Sequence, residues 1–374
     1  TVTDNNNGTY TATYTAGTAA GSVTITPKLD GTDFSNTTSI TLTPGAATQY
    51  LVTASTSSPT AGGTTTISAQ LADANGNAVS TSGETVTWSD SFSGGSFASA
   101  TSTTNSSGIA TVVFTTPTTV GSGTVTATTG SVTGTSATIS TTPGAASALA
   151  ITTEPVGGPS GDVLSTQPVV RVIDANGNTV TGDGTTVVSA TVKSGASGAV
   201  GGTTSATASS GVATFIGLTL SGTVGTNYVL EFAASGLASV DSANVTVTAG
   251  AASALAITTE PVGGTSGSAL ATQPIVAVVD AQGNTVTGDT GTVVTATIVS
   301  GSGGSLSGND TATTSSGVAT FSGLILTGTP GEDYVLRFSA TGLTADDSTN
   351  VNVTAAATAD AATSTVTVSP NVLE

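Results

Sequence analysis

Apolar and polar residues alternate along this chain in short runs that are separated by turn residues. Val170 and Val172 flank Arg171, and the run 228–232 reads YVLEF with the same alternation. Because successive side chains of a strand point to opposite faces, we expect the two valines to point inward and Arg171 outward. In 228–232 the tyrosine, leucine and phenylalanine are predicted to face inward and the glutamate outward.

Runs of this kind recur throughout residues 143–248 and bury one face of each predicted strand. No apolar window at helical spacing extends beyond a turn or two, and abundant Thr and Val favour strands over helices. The sequence therefore predicts an all-β fold. The predicted strands of this stretch lie near Leu149–Thr153, Pro168–Asp174, Val187–Lys193, Ala199, Val212–Leu218, Tyr228–Ala233 and Asn244–Thr248.

The chain is internally repeated, which is the strongest signal in the sequence. Residues 143–248 align with residues 249–354 without a gap, and ALAITTEPVGG occurs at the same place in both. Residues 44–142 form a more diverged copy, residues 1–43 resemble the C-terminal half of another, and residues 355–374 begin a further one with its first strands. We therefore expect an excerpt of a longer tandem array, with short junctions that leave little room for pivoting.

Three motifs carry a resemblance to a known family. D-A-N-G-N follows an apolar strand at Asp73–Asn77 and Asp174–Asn178, S-S-G-[IV]-A-T opens a later strand, and T-V-T-V ends a copy. The copies resemble the bacterial immunoglobulin-like repeats of invasin and intimin-type adhesins and other giant surface proteins. The resemblance implies a tandem array of immunoglobulin-like seven-stranded β-sandwich domains, which serve as stalks, spacers, filament subunits and occasionally binding heads. The specialised adhesive tip of the family has no counterpart here.

The composition argues against most other classes of function. The chain has no His and no Cys, which removes the usual nucleophilic triads and zinc sites, and aromatic residues are too sparse to line a hydrolase cleft. The net charge of -18 argues against nucleic acid and anionic membranes as partners, and no apolar run is long enough to insert directly into a membrane. The sequence thus predicts no enzyme, no catalytic residue, no cofactor and no metal site.

Calcium is the one alternative that stays open. D-A-N-G-N offers oxygen side chains at alternate positions, but it lacks the Gly and the bidentate Glu that an EF-hand loop requires. A tight turn, in which Asn and Gly adopt positive φ, accounts for the motif without a metal. Four pairs of acids nevertheless recur in the two close copies, namely Glu154/Glu260, Asp174/Asp280, Asp183/Asp289 and Asp241/Asp347.

Two kinds of aromatic residue have predicted structural roles. Tyr228 and Tyr334 begin the sixth strand of their copies, which resembles the tyrosine corner of Greek-key sandwiches, where the hydroxyl bonds to preceding backbone. Trp88 lies on an alternating run with Val86, so it is predicted to fill the core rather than to stack on a sugar.

The sequence favours a structural role at the extracellular cell surface. The main hypothesis is a semi-rigid stalk in adhesion, whose partners are neighbouring copies of the same repeat. The alternative is a subunit of a self-assembling filament, sheath or surface layer, in which the same protein is the partner. One form of the alternative has the tail of one molecule, at Thr365–Ser369, pairing with Tyr10–Tyr14 of the next by strand addition.

Overall fold

A computed structural model describes residues 2–356 of the chain, and this part is all-β. The secondary structure there consists of strands, turns and bends, as the alternation of apolar and polar residues predicts. No helix capable of spanning a membrane occurs among the described residues. The predicted strands of residues 355–374, including Thr365–Ser369, fall almost entirely outside the described residues.

The chain divides into two compact units. The first comprises Thr1–Ala148 together with Val172–Asp183, and the second comprises Leu149–Arg171 together with Gly184–Glu374. The predicted domain boundaries at 43/44, 142/143, 248/249 and 354/355 remain a prediction, and the copies that they delimit are called repeats below.

Residues 2–42 form short hairpins with exposed faces. The first hairpin turns at Asn6 and Gly8, both with positive φ, and the Asn5 N–H donates to the carbonyl of Thr9. Longer strands at 21–25 and 38–42 pair antiparallel in register. The strands are β1 (Val2–Asp4), β2 (Tyr10–Ala12), β3 (Gly21–Ile25), β4 (Lys28–Leu29), β5 (Thr32–Asp33) and β6 (Thr38–Leu42).

Residues 44–142 contain an eight-stranded sheet around one apolar core. Trp88 is 5% exposed within that core, and its indole N–H donates to the Ser102 hydroxyl at 3.0 Å, which confirms its predicted structural role. The strands are β7 (Gln49–Ala54), β8 (Thr64–Ala72), β9 (Thr85–Asp90), β10 (Ser96–Phe97), β11 (Thr101–Thr103), β12 (Ile109–Thr115), β13 (Ser122–Gly123), β14 (Val125–Thr129), β15 (Val132–Thr135) and β16 (Ile139–Ser140).

Residues 143–248 show the predicted alternation. Val170 and Val172 are fully buried while Arg171 is half-buried, and over 228–232 the tyrosine, leucine and phenylalanine are buried. The strands are β17 (Ala146–Thr153), β18 (Val169–Asp174), β19 (Val187–Ser194), β20 (Ala199–Gly202), β21 (Ser205–Thr207), β22 (Val212–Thr214), β23 (Leu218–Ser221), β24 (Val229–Ala233) and β25 (Val240–Asp241).

Residues 249–354 reproduce the registers of the preceding repeat. β28 pairs with β33 as β19 pairs with β24, and both pairs carry a register shift at the same place, Val192/Ser194 and Ile298/Ser300. Its apolar core includes Phe321 and Phe338, whose rings meet edge to face at 5.3 Å. The strands are β26 (Ala254–Thr259), β27 (Ile275–Val279), β28 (Val293–Ser300), β29 (Ser305–Gly308), β30 (Thr311–Ser315), β31 (Val318–Thr320), β32 (Leu324–Thr327), β33 (Asp333–Ser339), β34 (Asp346–Asp347) and β35 (Val351–Asn352).

Two predicted strands of residues 143–248 differ from the structure. The run Val212–Leu218 is two strands: β22 ends at Thr214 and pairs with β18, whereas β23 begins at Leu218, after Gly217 with a φ of 82°, and pairs with β20. Asn244–Thr248 is no continuous strand, because Val245 bonds to Tyr228 whereas Thr248 bonds to Gly158. Short strands β21 and β25 were not predicted.

Candidate functional site at the repeat joints

The D-A-N-G-N motif is the tight turn that the sequence predicts. In Asp73–Asn77 the backbone closes with the Asp73 N–H donating to the carbonyl of Asn77 at 3.0 Å, and Gly76 has a φ of 81°. The Asp73 Oδ1 atom accepts the N–H groups of Asn75 and Asn77, both at 2.9 Å. The same bonds recur in Asp174–Asn178 and Asp280–Asn284, and these three turns are called the joint loops.

The aspartate of each joint loop also binds the segment that enters its repeat. The second carboxylate oxygen of Asp73 accepts the N–H of Gly45 at 2.9 Å. Asp174 does the same with Gly144, and Asp280 with Gly250, both at 2.8 Å. A buried carboxylate with several N–H donors is held ionised. The loop is thereby fixed to the start of its own repeat.

These bonds lower the pKa of the joint aspartates. The amide of Asn77 and the N–H of Gly45 hold the pKa of Asp73 at about 2, below its ordinary value of 3.8. For Asp174, burial raises the pKa, but the bonds from Asn178 and Gly144 outweigh it and bring the pKa to about 2. The pKa of Asp280 is lowered by the equivalent bonds, again against burial.

The last residue of each joint loop binds backbone that belongs to the preceding repeat. Within the first unit, the Asn77 Nδ2 atom donates to the Thr18 carbonyl at 2.8 Å, and its Oδ1 atom accepts the N–H of Ala20 at 2.8 Å. Asn178, also in the first unit, bonds in the same way to the Thr118 carbonyl at 2.8 Å and to the Val120 N–H at 3.0 Å.

Within the second unit, Asn284 repeats this arrangement in a more buried setting. Its Nδ2 atom donates to the Gly222 carbonyl at 2.9 Å, and its Oδ1 atom accepts the Val224 N–H at 2.9 Å. Asn284 is 6% exposed. A carboxamide both donates and accepts, so one side chain bonds to two backbone groups that stand two residues apart. We call such a pair a receiver.

Further contacts tighten the joint in the second unit. The Ser160 hydroxyl lies 2.9 Å from the Gly222 carbonyl and 3.2 Å from the Gln282 Oε1 atom. Gly250 is buried, and a Cβ atom there would lie 2.6 Å from the Ser160 carbonyl oxygen. A side chain at position 250 would therefore force the backbone apart.

The predicted tyrosine corners support this receiver. The Tyr228 hydroxyl accepts the Thr223 N–H at 2.7 Å, and the equivalent bond from Thr329 to Tyr334 measures 2.8 Å, which confirms the prediction. A Cβ atom on Gly222 would lie 2.3 Å from the Tyr228 hydroxyl oxygen. The buried tyrosine therefore packs directly beneath the backbone that receives the joint loop.

The recurrent acids bond to donors of the protein itself and lie at separate places. Glu154 and Glu260 accept the N–H groups of Ala243 and Thr349. Asp289 accepts two threonine hydroxyls, and Asp241 and Asp347 bind Lys193 and Arg337. Among residues 2–356 no group of three or more acids is close enough to hold a metal ion.

Sequence comparison finds a family similarity in the first part of the chain. Residues 1–45 and 47–144 match the family model described as invasin, domain 3. The predicted resemblance to bacterial immunoglobulin-like repeats of adhesins is thereby confirmed. A comparison with curated proteins finds no significant match.

Several solved structures of bacterial adhesins are similar in outline. Escherichia coli FdeC has a TM-score of 0.43 and 21% identity over 84% of this chain and 100% of its own. Yersinia pseudotuberculosis InvD has a TM-score of 0.39 and 15% identity, covering 82% and 98%. Invasin, described as a bacterial integrin-binding protein, has a TM-score of 0.27 and 17% identity, covering 80% and 59%.

Proposed function

We propose that this chain is the structural repeat region of an extracellular bacterial surface protein and acts as a semi-rigid stalk in adhesion. The observation that carries the proposal is the joint loop, which occurs three times with the same bonds. In a tandem array, stiffness depends on the contacts between neighbours, because each repeat contacts only the next. The partner of each repeat is accordingly its neighbour in the same chain.

Each joint loop restricts its joint at two separate points. The aspartate fixes the entering glycine, and the asparagine fixes the receiver of the preceding repeat. A flexible linker alone would leave the second repeat free to rotate about the first. Two hydrogen bonds to one planar carboxamide remove most of that freedom, at a net gain of about 1 kcal/mol each.

The match to the invasin domain 3 model supports an extracellular location. Residues 1–45 and 47–144 match that model, and we propose on this basis that the chain lies at the cell surface, outside the cell. A stalk in this position would hold another part of its protein away from the membrane.

The proposal is tested by removing the joint asparagines together. The triple variant Asn77→Ala, Asn178→Ala, Asn284→Ala keeps every apolar core intact but loses the bonds to all three receivers. We expect small-angle X-ray scattering to show a fixed set of dimensions for the wild-type chain and a broad distribution for the variant. The matched control is Asn75→Ala, Asn176→Ala, which changes exposed residues of two of the same loops. Equal distributions for both variants would refute the stalk.

Self-assembly is a second candidate, and one observation favours it. In residues 2–42, Val2, Tyr10, Leu29 and Phe34 are 65%, 65%, 60% and 49% exposed and line a groove of about 680 Å³. Apolar patches of this kind mark interaction surfaces. If this groove joins copies of the chain, analytical ultracentrifugation will show concentration-dependent polymers that the double variant Tyr10→Ser, Leu29→Ser abolishes. A monomer at all concentrations would exclude this candidate.

A further inference from the structure

All three receivers bind the joint asparagine through backbone groups alone. At 18/20, 118/120 and 222/224 a carbonyl accepts from the joint asparagine, and the N–H two residues later donates to it. The side chains at these positions differ from joint to joint. In the last full repeat the corresponding residues are Gly328 and Pro330, because 249–354 aligns with 143–248 without a gap.

The surface around Gly328 is built like the receiver at Gly222. The Ser266 hydroxyl lies 2.8 Å from the Gly328 carbonyl oxygen and accepts the Gly328 N–H at 3.0 Å, as Ser160 does with Gly222. A Cβ atom on Gly328 would lie 2.5 Å from the Tyr334 ring. The carbonyl is thus held in place, and Ser266 is its one donor among the described residues. A carbonyl oxygen has room for a second.

We infer that the surface of Ser266, Gly328 and Pro330 is a receiver for the Asp-x-x-Gly-Asn joint loop of another repeat of this kind, held by one receiver bond instead of two. The occupant follows from the three earlier joints, where the equivalent backbone groups hold an Asp-x-x-Gly-Asn loop. Proline has no N–H, so the Oδ1 atom of the incoming asparagine finds no donor at Pro330. The inference rests on the proposed stalk and predicts one looser joint within it.

Spin labels can measure both joints because the chain has no native cysteine. The joint whose receiver includes Val224 is called the Val224 joint, and the one whose receiver would include Pro330 is called the Pro330 joint. The reference pair of labels is Thr191→Cys with Thr297→Cys, two exposed positions on either side of the Val224 joint in the second unit. For the Pro330 joint, a copy of residues 249–354 is inserted after Thr354 in the full chain, and the labels sit at Thr297 and at its counterpart in the inserted copy. Pulsed electron paramagnetic resonance then gives the distance distribution across each joint.

We expect the undocked fraction to be about five-fold larger at the Pro330 joint than at the Val224 joint, as the loss of one net hydrogen bond implies. Pro330→Val should restore the narrow distribution. Val224→Pro should raise the undocked fraction of the reference joint about five-fold, whereas Val224→Ala, which keeps the N–H, should leave it unchanged.

The outcomes separate the inference from the proposed function. Equal distributions at the two joints, or a Pro330 joint that Pro330→Val does not narrow, would overturn the inference while the stalk survives. Broad distributions at both joints, with no effect of either proline exchange, would overturn both. A narrow reference joint, together with a loose Pro330 joint that valine repairs, supports both.

Discussion

Asn284→Ala should undock one joint without unfolding either neighbour. The side chain makes three hydrogen bonds, to Gly222, Val224 and Asp280, each at 2.9 Å. Only the bonds to Gly222 and Val224 cross the joint; at about 1 kcal/mol net for each, and more where a buried group is left without a partner, the loss is about 2–3 kcal/mol. The docking equilibrium should therefore shift roughly 30- to 160-fold towards the undocked state.

The assay is the distance distribution between labels at Thr191 and Thr297, which lie on opposite sides of this joint. We expect one narrow peak for the wild-type chain and a broad distribution for Asn284→Ala. Gln282→Ala is the control in the same loop, because its side chain is exposed and makes one bond of 3.2 Å to Ser160. The control should change the docking equilibrium at most about five-fold.

The apolar core of residues 249–354 does not include Asn284, so its thermal unfolding should shift little. A narrow distance peak in Asn284→Ala would refute the reasoning, since it would mean that packing and the linker alone set the orientation. A variant with lowered unfolding temperature and an unchanged peak would assign Asn284 to the stability of its own repeat.

Three other predictions follow from the same joints. Carbon NMR should find the carboxyl groups of Asp73 and Asp174 titrating near pH 2. Because the two pKa values are lower in the folded chain than in the unfolded chain, the ionised carboxylates stabilise the fold above about pH 4, and this stabilisation is lost as the pH falls towards 2. Gly250→Ala should broaden the distance distribution across its joint, whereas Gly45→Ala, where a Cβ atom makes ordinary contacts of 3.6 Å, should leave the unfolding temperature within about 2 °C. Melting with a chelator and with millimolar calcium should agree within about 3 °C; a large rise with calcium would instead make the recurrent acids ligands.

Much of the fold could be predicted from local pattern. Strand phase follows from the alternation around Arg171, and the turn at Asp174–Asn178 follows from residues that accept positive φ. Both depend on neighbours in sequence. The break before Leu218 could not be predicted from local pattern, because β22 and β23 are separated by only three residues and the change of pairing partner from β18 to β20 depends on residues distant in sequence.

The joints could not be predicted in the same way. Asn178 bonds to backbone groups of Thr118 and Val120. Because almost every residue has these groups, the residue types at the two partner positions do not reveal the bonds. One signal was nevertheless present in the sequence. The last residue of the loop is Asn in all three copies, although a turn of this type requires positive φ only at the preceding glycine. The side chain bonds to the aspartate of its own loop and to the receiver as well, so the recurrent asparagine has roles beyond the turn.

A different rule governs the surface ion pairs of the two close repeats. Lys193 lies on β19 and binds Asp241 of the edge strand β25 at 2.6 Å, across the intervening strand β24. In the next repeat the lysine position is Val299, yet Asp347 keeps a cation because Arg337, on β33 next to the edge strand β34, replaces the glutamate. Exposed pairs contribute little to stability, but a charged residue on a short edge strand discourages pairing with another chain.

The ion pair and the joint therefore constrain the sequence in opposite ways. The pair needs a cation near the edge aspartate and accepts it from either strand, so two compensating substitutions preserve it. The receiver needs a carbonyl and an N–H, which every residue but proline supplies, so its bonds form with threonine at position 118 and with glycine at position 222. Proline at the donor position is consequently the one substitution that removes the receiver's N–H donor itself. No substitution on a neighbouring strand can supply that missing hydrogen bond.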